Sequence, residues 1–140
     1  MKRIIAITIT IIMLSTTISF AKQEEIYKPL EPDVLDYVTA ATVSTQLSIS
    51  QGKATYHSEL WPQPGKKITK VVAVIKLVNS KGTIIQSKTA TLYLSSRRFR
   101  IQDSKQLSSR GTYHAESTLK VYNGTKLIET IRKNSANVTY

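Results

Sequence analysis

The sequence predicts an all-β fold, a single antiparallel sandwich, and three observations lead there. Turn signals recur about every 10 residues beyond residue 40, the spacing of short strands joined by hairpins. The segments between them alternate apolar and polar side chains, the period of a strand with one face in a core. Gly111 and Tyr113 have the spacing of a tyrosine corner, in which a buried phenol ties the start of a late strand to the preceding loop. Together these predict an immunoglobulin-like sandwich of about seven to eight strands. No segment beyond residue 21 shows convincing helical periodicity.

Residues 1–21 read as a signal peptide. Lys2 and Arg3 give a positive start, residues 4–14 are almost wholly apolar, and Ser19 and Ala21 are small residues flanking a cut before Lys22. The alternative is a membrane anchor. Six Ser or Thr residues dilute the run, which falls short of the roughly 20 apolar residues needed to span a bilayer. A secreted protein is therefore expected, without a transmembrane anchor after cleavage and with possible cell-wall association. Residues 22–36 follow as a leader or linker. Two lysines there face five acids, and Pro29 and Pro32 oppose regular structure.

The sandwich is expected over residues 37–133. Residues 42–50 place Val43, Thr45, Leu47 and Ile49 on one face, and the turn at residues 51–53 returns the chain through Ala54, Tyr56, Ser58 and Leu60. The loop at residues 61–67 carries Trp61, Pro62, Pro64 and Gly65, residues that break a ladder. Residues 68–78 are nearly continuously β-branched, as in a central strand covered on both sides or one whose outer face meets a partner. A turn at residues 79–82 leads to a strand at 83–86, and a separate strand is expected at about 89–94. Residues 97–101 alternate, with Arg98 and Arg100 opposite Phe99 and Ile101. On the strand from Thr112, residues Tyr113, Ala115, Ser117, Leu119 and Val121 share the inner face. Asn123-Gly124 is a strong hairpin signal, with a bulge expected at Gly124 because Leu127 and Ile128 are adjacent. Residues 134–140 read as a frayed tail.

Composition narrows the function. There is no cysteine, which excludes disulfide frameworks, thiolate metal sites and cysteine nucleophiles. His57 and His114 each precede a glutamate by two residues, so a weak exposed metal site is conceivable, but a charged surface face explains both pairs. No strained serine elbow, phosphate loop, dinucleotide fingerprint or facing carboxylate pair is recognisable. A non-catalytic protein without a cofactor is expected.

Beyond residue 36, 16 basic residues oppose Glu59, Asp103, Glu116 and Glu129, a net charge of +12. A body this basic outside the cell should attract polyanions, with strong salt dependence. The candidate cationic residues are Arg97, Arg98, Arg100, Lys66, Lys67 and Lys70, with Trp61 and Phe99 as apolar contacts. A solvated edge that discourages aggregation explains the same charges. Trp61 is either an exposed stacking residue or a plug for one end of the sandwich, the plug being preferred. The favoured partner is an anionic cell-wall polymer or anionic surface, with no specific nucleic-acid readout. A cationic membrane-active antagonist, or a protein-interaction domain using an open sheet edge, are the alternatives.

The order of motifs resembles an uncharacterised family of small secreted β-sandwich proteins of Gram-positive bacteria. It is carried by residues 47–55 (LSISQGKAT), 67–71 (KITKV), Gly111 to Tyr113, and 121–124 (VYNG) followed by Glu129. Those motifs are short and mainly structural, and the tryptophan-bearing middle strands of that family are absent. The tyrosine corner also resembles immunoglobulin-like domains, with Ser109 where an aspartate is common and Ala115 in place of a cysteine. The resemblance implies a fold and an exported location, and no catalytic residue.

Overall fold

The computed structural model describes residues 37–140, so the expected signal peptide at 1–21 and leader at 22–36 lie outside the described residues. Eight strands follow in order: β1 (Ala40–Ser50), β2 (Lys53–Pro62), β3 (Lys70–Asn79), β4 (Ile84–Leu92), β5 (Phe99–Gln106), β6 (Thr112–Asn123), β7 (Lys126–Asn134) and β8 (Val138–Thr139). They form two antiparallel sheets, one ordered β1-β2-β5 and the other β4-β3-β6-β7, with β8 also paired to β6. This is the immunoglobulin-like sandwich expected from the alternating pattern.

The core lies between the sheets, where the period of two puts it. From β2 come Ala54, Tyr56, Ser58 and Leu60, and from β3 Val71, Ala73, Ile75 and Leu77, all buried. Val72, Val74 and Lys76 on the other face of β3 are only half-buried. This strand is central, flanked by β4 and β6, yet covered on one face alone. β6 contributes Tyr113, Ala115, Leu119 and Val121.

The tyrosine corner forms as its spacing requires. The Tyr113 hydroxyl donates to the Ser109 carbonyl at 2.8 Å, tying β6 to the loop before it. The β6–β7 hairpin turns one residue later than Asn123-Gly124: Asn123 pairs with Lys126, so Gly124 and Thr125 form the loop, and Gly124 takes a φ of 62°, which a residue with a Cβ adopts at a cost. The bulge lies elsewhere than expected. Val121 pairs with Glu129 and Tyr122 with Leu127, so Ile128 is the extra residue, three positions beyond the turn's end.

Three further expectations are corrected. The strands foreseen at 83–86 and 89–94 are one, β4, whose residues pair with β3 from Ile84 to Leu92. Strand β2 runs through Trp61 and ends at Pro62, where the missing N–H does no harm. Residues 134–140 are not a frayed tail. Val138 and Thr139 pair with Tyr113 and Thr112, and the Tyr140 amide donates to the Gly111 carbonyl at 2.9 Å. Tyr140 also packs on the core.

Candidate functional site

Strand register gathers the loops that bear most of the candidate cations. Pro62 lies opposite Ala40, Phe99 opposite Leu60, Leu92 opposite Val71, and Tyr122 opposite Lys70. The β2–β3 loop, the β4–β5 loop and the Gly124-Thr125 turn therefore share one end of the sandwich. Trp61, Lys66, Lys67, Lys70, Arg97 and Arg98 all lie at or near that end.

Sharing an end does not make them one patch. Val71 points inward, so its neighbour Lys70 stands on the outer face of the larger sheet, its ammonium 5.3 Å from the Tyr122 ring centroid. Phe99 and Ile101 point inward, so Arg100 stands on the outer face of the β1-β2-β5 sheet. Lys66 and Lys67 occupy the exposed loop between β2 and β3. Arg97 is exposed in the turn before β5, with a φ of 64°. The expectation that Phe99 offers an apolar contact to a ligand is overturned: it is 1% exposed, packed in the core opposite Leu60. The plug reading of Trp61 also fails. Its side chain is 38% exposed, and the Arg98 guanidinium lies 5.6 Å from its ring centroid.

On the outer face of the smaller sheet, Glu59 organises the arginines. Arg100 Nη1 donates to Glu59 Oε1 at 2.6 Å, and Arg98 Nη1 lies 3.4 Å from the same oxygen. Arg100 Nη2 donates to Gln102 Oε1 at 2.9 Å. Glu59 is only 9% exposed although its phase points it outward, with the guanidinium groups of Arg98 and Arg100 over its carboxylate. One carboxylate between two guanidinium groups leaves a surplus positive charge. Sequence reasoning missed Glu59 as their partner; its position opposite Arg100 follows from a cross-strand pairing that the linear order does not announce.

Two grooves meet at Arg100. The larger, about 480 Å³, is bounded by Thr91 and Tyr93 on the β4 side and by Arg98, Arg100 and Gln102 on the other. The smaller, about 280 Å³, crosses Gln46, Ser48, Thr55 and His57. Burial, reinforced by the charge of Arg100, pushes the His57 imidazole below its ordinary range, so it meets this groove uncharged at neutral pH. Tyr93 and Leu94, 69% and 55% exposed, project at the rim of the larger groove's loop.

The remaining acids are held in structural contacts. Asp103 accepts from Gln86 Nε2 at 2.7 Å and from the Tyr56 hydroxyl at 3.2 Å. Glu129 accepts from the Val38 amide at 3.1 Å and the Thr39 amide at 2.9 Å, fixing the start of the first strand. His114 and Glu116 lie 3.1 Å apart on the larger sheet's outer face. Among the described residues, no group of three His, Cys, Asp or Glu side chains could hold a metal ion. No described helix is long and apolar enough to cross a membrane.

No protein-family model matches the sequence, and no curated protein matches it either. Among solved structures, the chain is similar to a Bacteroides fragilis protein designated a β-galactosidase, at 12% identity and a TM-score of 0.41 over 66% of this chain. It is similar also to a β-glucuronidase of Ruminococcus gnavus, at 10% identity and a TM-score of 0.34 over 68% of this chain. The match spans 15% of the length of each of those chains. A likeness this distant identifies neither a family nor a chemistry.

Proposed function

We propose that this protein is an exported, non-catalytic binding module whose ligand is an anionic polymer of the cell envelope. The observation that carries the reading is the arginine pair held over Glu59 beside an open groove, on a body with a large positive surplus. The non-catalytic part is supported by the state of the acids. Glu59, Asp103, Glu116 and Glu129 each have a structural partner, and they lie in four different strands.

The test is co-sedimentation with purified cell walls, before and after removal of teichoic acid, at about 50 and 300 mM salt, a range that shortens the screening length appreciably. Binding that vanishes with the teichoic acid and weakens with salt is the expected result. Binding in neither condition removes the proposal and leaves the charge as a solubility feature.

A second reading has its own observation. Tyr93 and Leu94 are exposed beside Arg97, the combination that anchors a protein shallowly at an anionic bilayer. Dye release from anionic vesicles separates the two, since a wall binder leaves vesicles intact.

A further inference from the structure

We infer that the larger groove reads a sugar ring bearing an oxyanion, and that Glu59 is the positioning residue of that site. This assignment rests on the envelope-polymer reading and narrows it from any polyanion to an anionic glycan.

Three features of the groove ask for more than charge. Its volume of about 480 Å³ falls within the roughly 300–1,000 Å³ typical of small-ligand sites. Two guanidinium groups carry about ten N–H donors. The partners they meet are Glu59 Oε1, Gln102 Oε1 and the Trp61 ring, so several donors remain for a ligand oxyanion. The opposite wall holds the exposed ring of Tyr93, with Thr91, Ser95 and Ser96 nearby. The hydroxyl groups can donate to any oxyanion, but an aromatic face adds nothing for a bare polyanion. That face matches the flat apolar face of a pyranose, and the nearby hydroxyl groups can bond its own.

Glu59 sets the geometry. Free arginines lose rotamer freedom when they bind, and these two have already lost it to a nearly buried carboxylate. The groove is thus pre-organised for one oxyanion on the ring, whether carboxylate or phosphate. Arg98 supplies the adjoining corner, and Gln102, held by Arg100, keeps its amide N–H groups for ligand oxygens.

The chain has one tryptophan, Trp61, lying against Arg98, so its emission reports occupancy. The protein is titrated with tetragalacturonate, a hexose-phosphate oligomer, the methyl ester of the first, and polyphosphate. The charged oligosaccharides should saturate the signal, and the tighter of them identifies carboxylate or phosphate as the anion. The neutral ester and the ringless polyphosphate should bind about tenfold more weakly, the loss of one good contact. Polyphosphate binding as tightly as both oligosaccharides overturns the assignment.

Two variants test the parts. Tyr93→Ala changes no charge at an exposed site and should weaken oligosaccharide binding about fivefold, as loss of one ring contact does; unchanged affinity overturns the ring contact. Glu59→Gln adds one net positive charge. A charge-only surface then binds every anion more tightly, whereas a positioned pair binds polyphosphate more tightly and the oligosaccharide more weakly. Tightening of both overturns the role of Glu59, and equal weakening of both marks it as merely structural. The Tyr93 variant and the polyphosphate comparison need no folded Glu59 variant. Wall binding that persists while these tests fail removes only the glycan assignment; loss of wall binding by the unaltered protein removes the reading beneath it.

Discussion

Three hydroxyl groups lie where a sandwich usually has only hydrocarbon. Thr45 Oγ1 is 2.7 Å from Ser117 Oγ, Ser117 Oγ donates to the Lys133 carbonyl at 3.1 Å, and Ser58 Oγ donates to the Ser44 carbonyl at 3.1 Å. All three residues are buried, and the cluster links the two sheets. Ser117→Ala would remove the buried contacts of this hydroxyl with Thr45, Ser58 and the Lys133 carbonyl, leaving Thr45 only Ser58 as its partner, so a loss of about 1–3 kcal/mol is expected in urea unfolding. Groove binding at 25 °C should not change. Tyr113→Phe removes the corner bond as well, but the Ser109 carbonyl lies in a surface loop where water can replace the phenol. A smaller cost, about 1 kcal/mol, is expected by the same measurement. The two sites differ in how readily the sequence reveals them. Glycine and tyrosine at a fixed offset announce the corner. Serine and threonine occur on both faces of the first two strands, so nothing in the linear order marks which hydroxyls meet across the core.

The strands themselves were legible wherever hydrophobic alternation and a glycine turn coincided, as in β1, β2 and β6, or where a long β-branched run stood out, as in β3. Legibility failed where backbone pairing decided the outcome. β4 looked broken because Ser87 and Lys88 interrupt its apolar residues, yet an edge strand needs only one ladder, and β3 provides it. β8 is two residues long and has no pattern to read; hydrogen bonds to the β6 end hold it. Removing residues 135–140 strips the Gly111–Tyr140 pair and the Arg110 contact 5.3 Å from the Tyr140 ring. A fall of about 1–3 kcal/mol in unfolding free energy is expected, within the range of a lost hydrogen-bonded packing contact. Links between the sheets also depend on pH. Burial disfavours the Asp103 carboxylate, but hydrogen bonds from Gln86, the Ser104 amide and Tyr56, with the charge of Lys88, outweigh it and hold the group below the ordinary carboxylate range. A carboxyl lowered on folding adds stability that is full above its unfolded value of 3.8 and disappears as pH falls through the folded value. Thermal melts between about pH 2 and 5, bracketing that value, should therefore show a steeper acid loss for the protein than for Asp103→Asn. Equal slopes would sink this account of the β5 contact.

At the scale of the whole molecule, charge was legible in amount but not in arrangement. Counting residues gives the positive surplus of the body; only register and phase show that its candidate cations divide between the two outer faces. In the sequence Lys70 follows Trp61 closely and Arg100 adjoins Phe99, which suggests one cationic set with two aromatic contacts. Alternation sends the two cations to opposite sides of the sandwich instead, and it sends Phe99 into the core. Packed sheets stand about 10 Å apart, and outward-pointing side chains add to that separation. The screening length is about 10 Å at 0.1 M salt, so a polymer on the smaller sheet should scarcely sense Lys70. Lys66 and Lys67, exposed on the connecting loop, are not separated from it by the thickness of the core. Lys70→Gln should consequently leave wall binding at 0.1 M salt within about twofold of the unaltered protein, since a screened charge contributes little. Lys66→Gln with Lys67→Gln, though it too removes only exposed ammonium groups, should lower affinity severalfold and flatten its decline with salt. Equal effects of the two changes would mean that the polymer senses total charge alone, and that the division into faces has no part in binding.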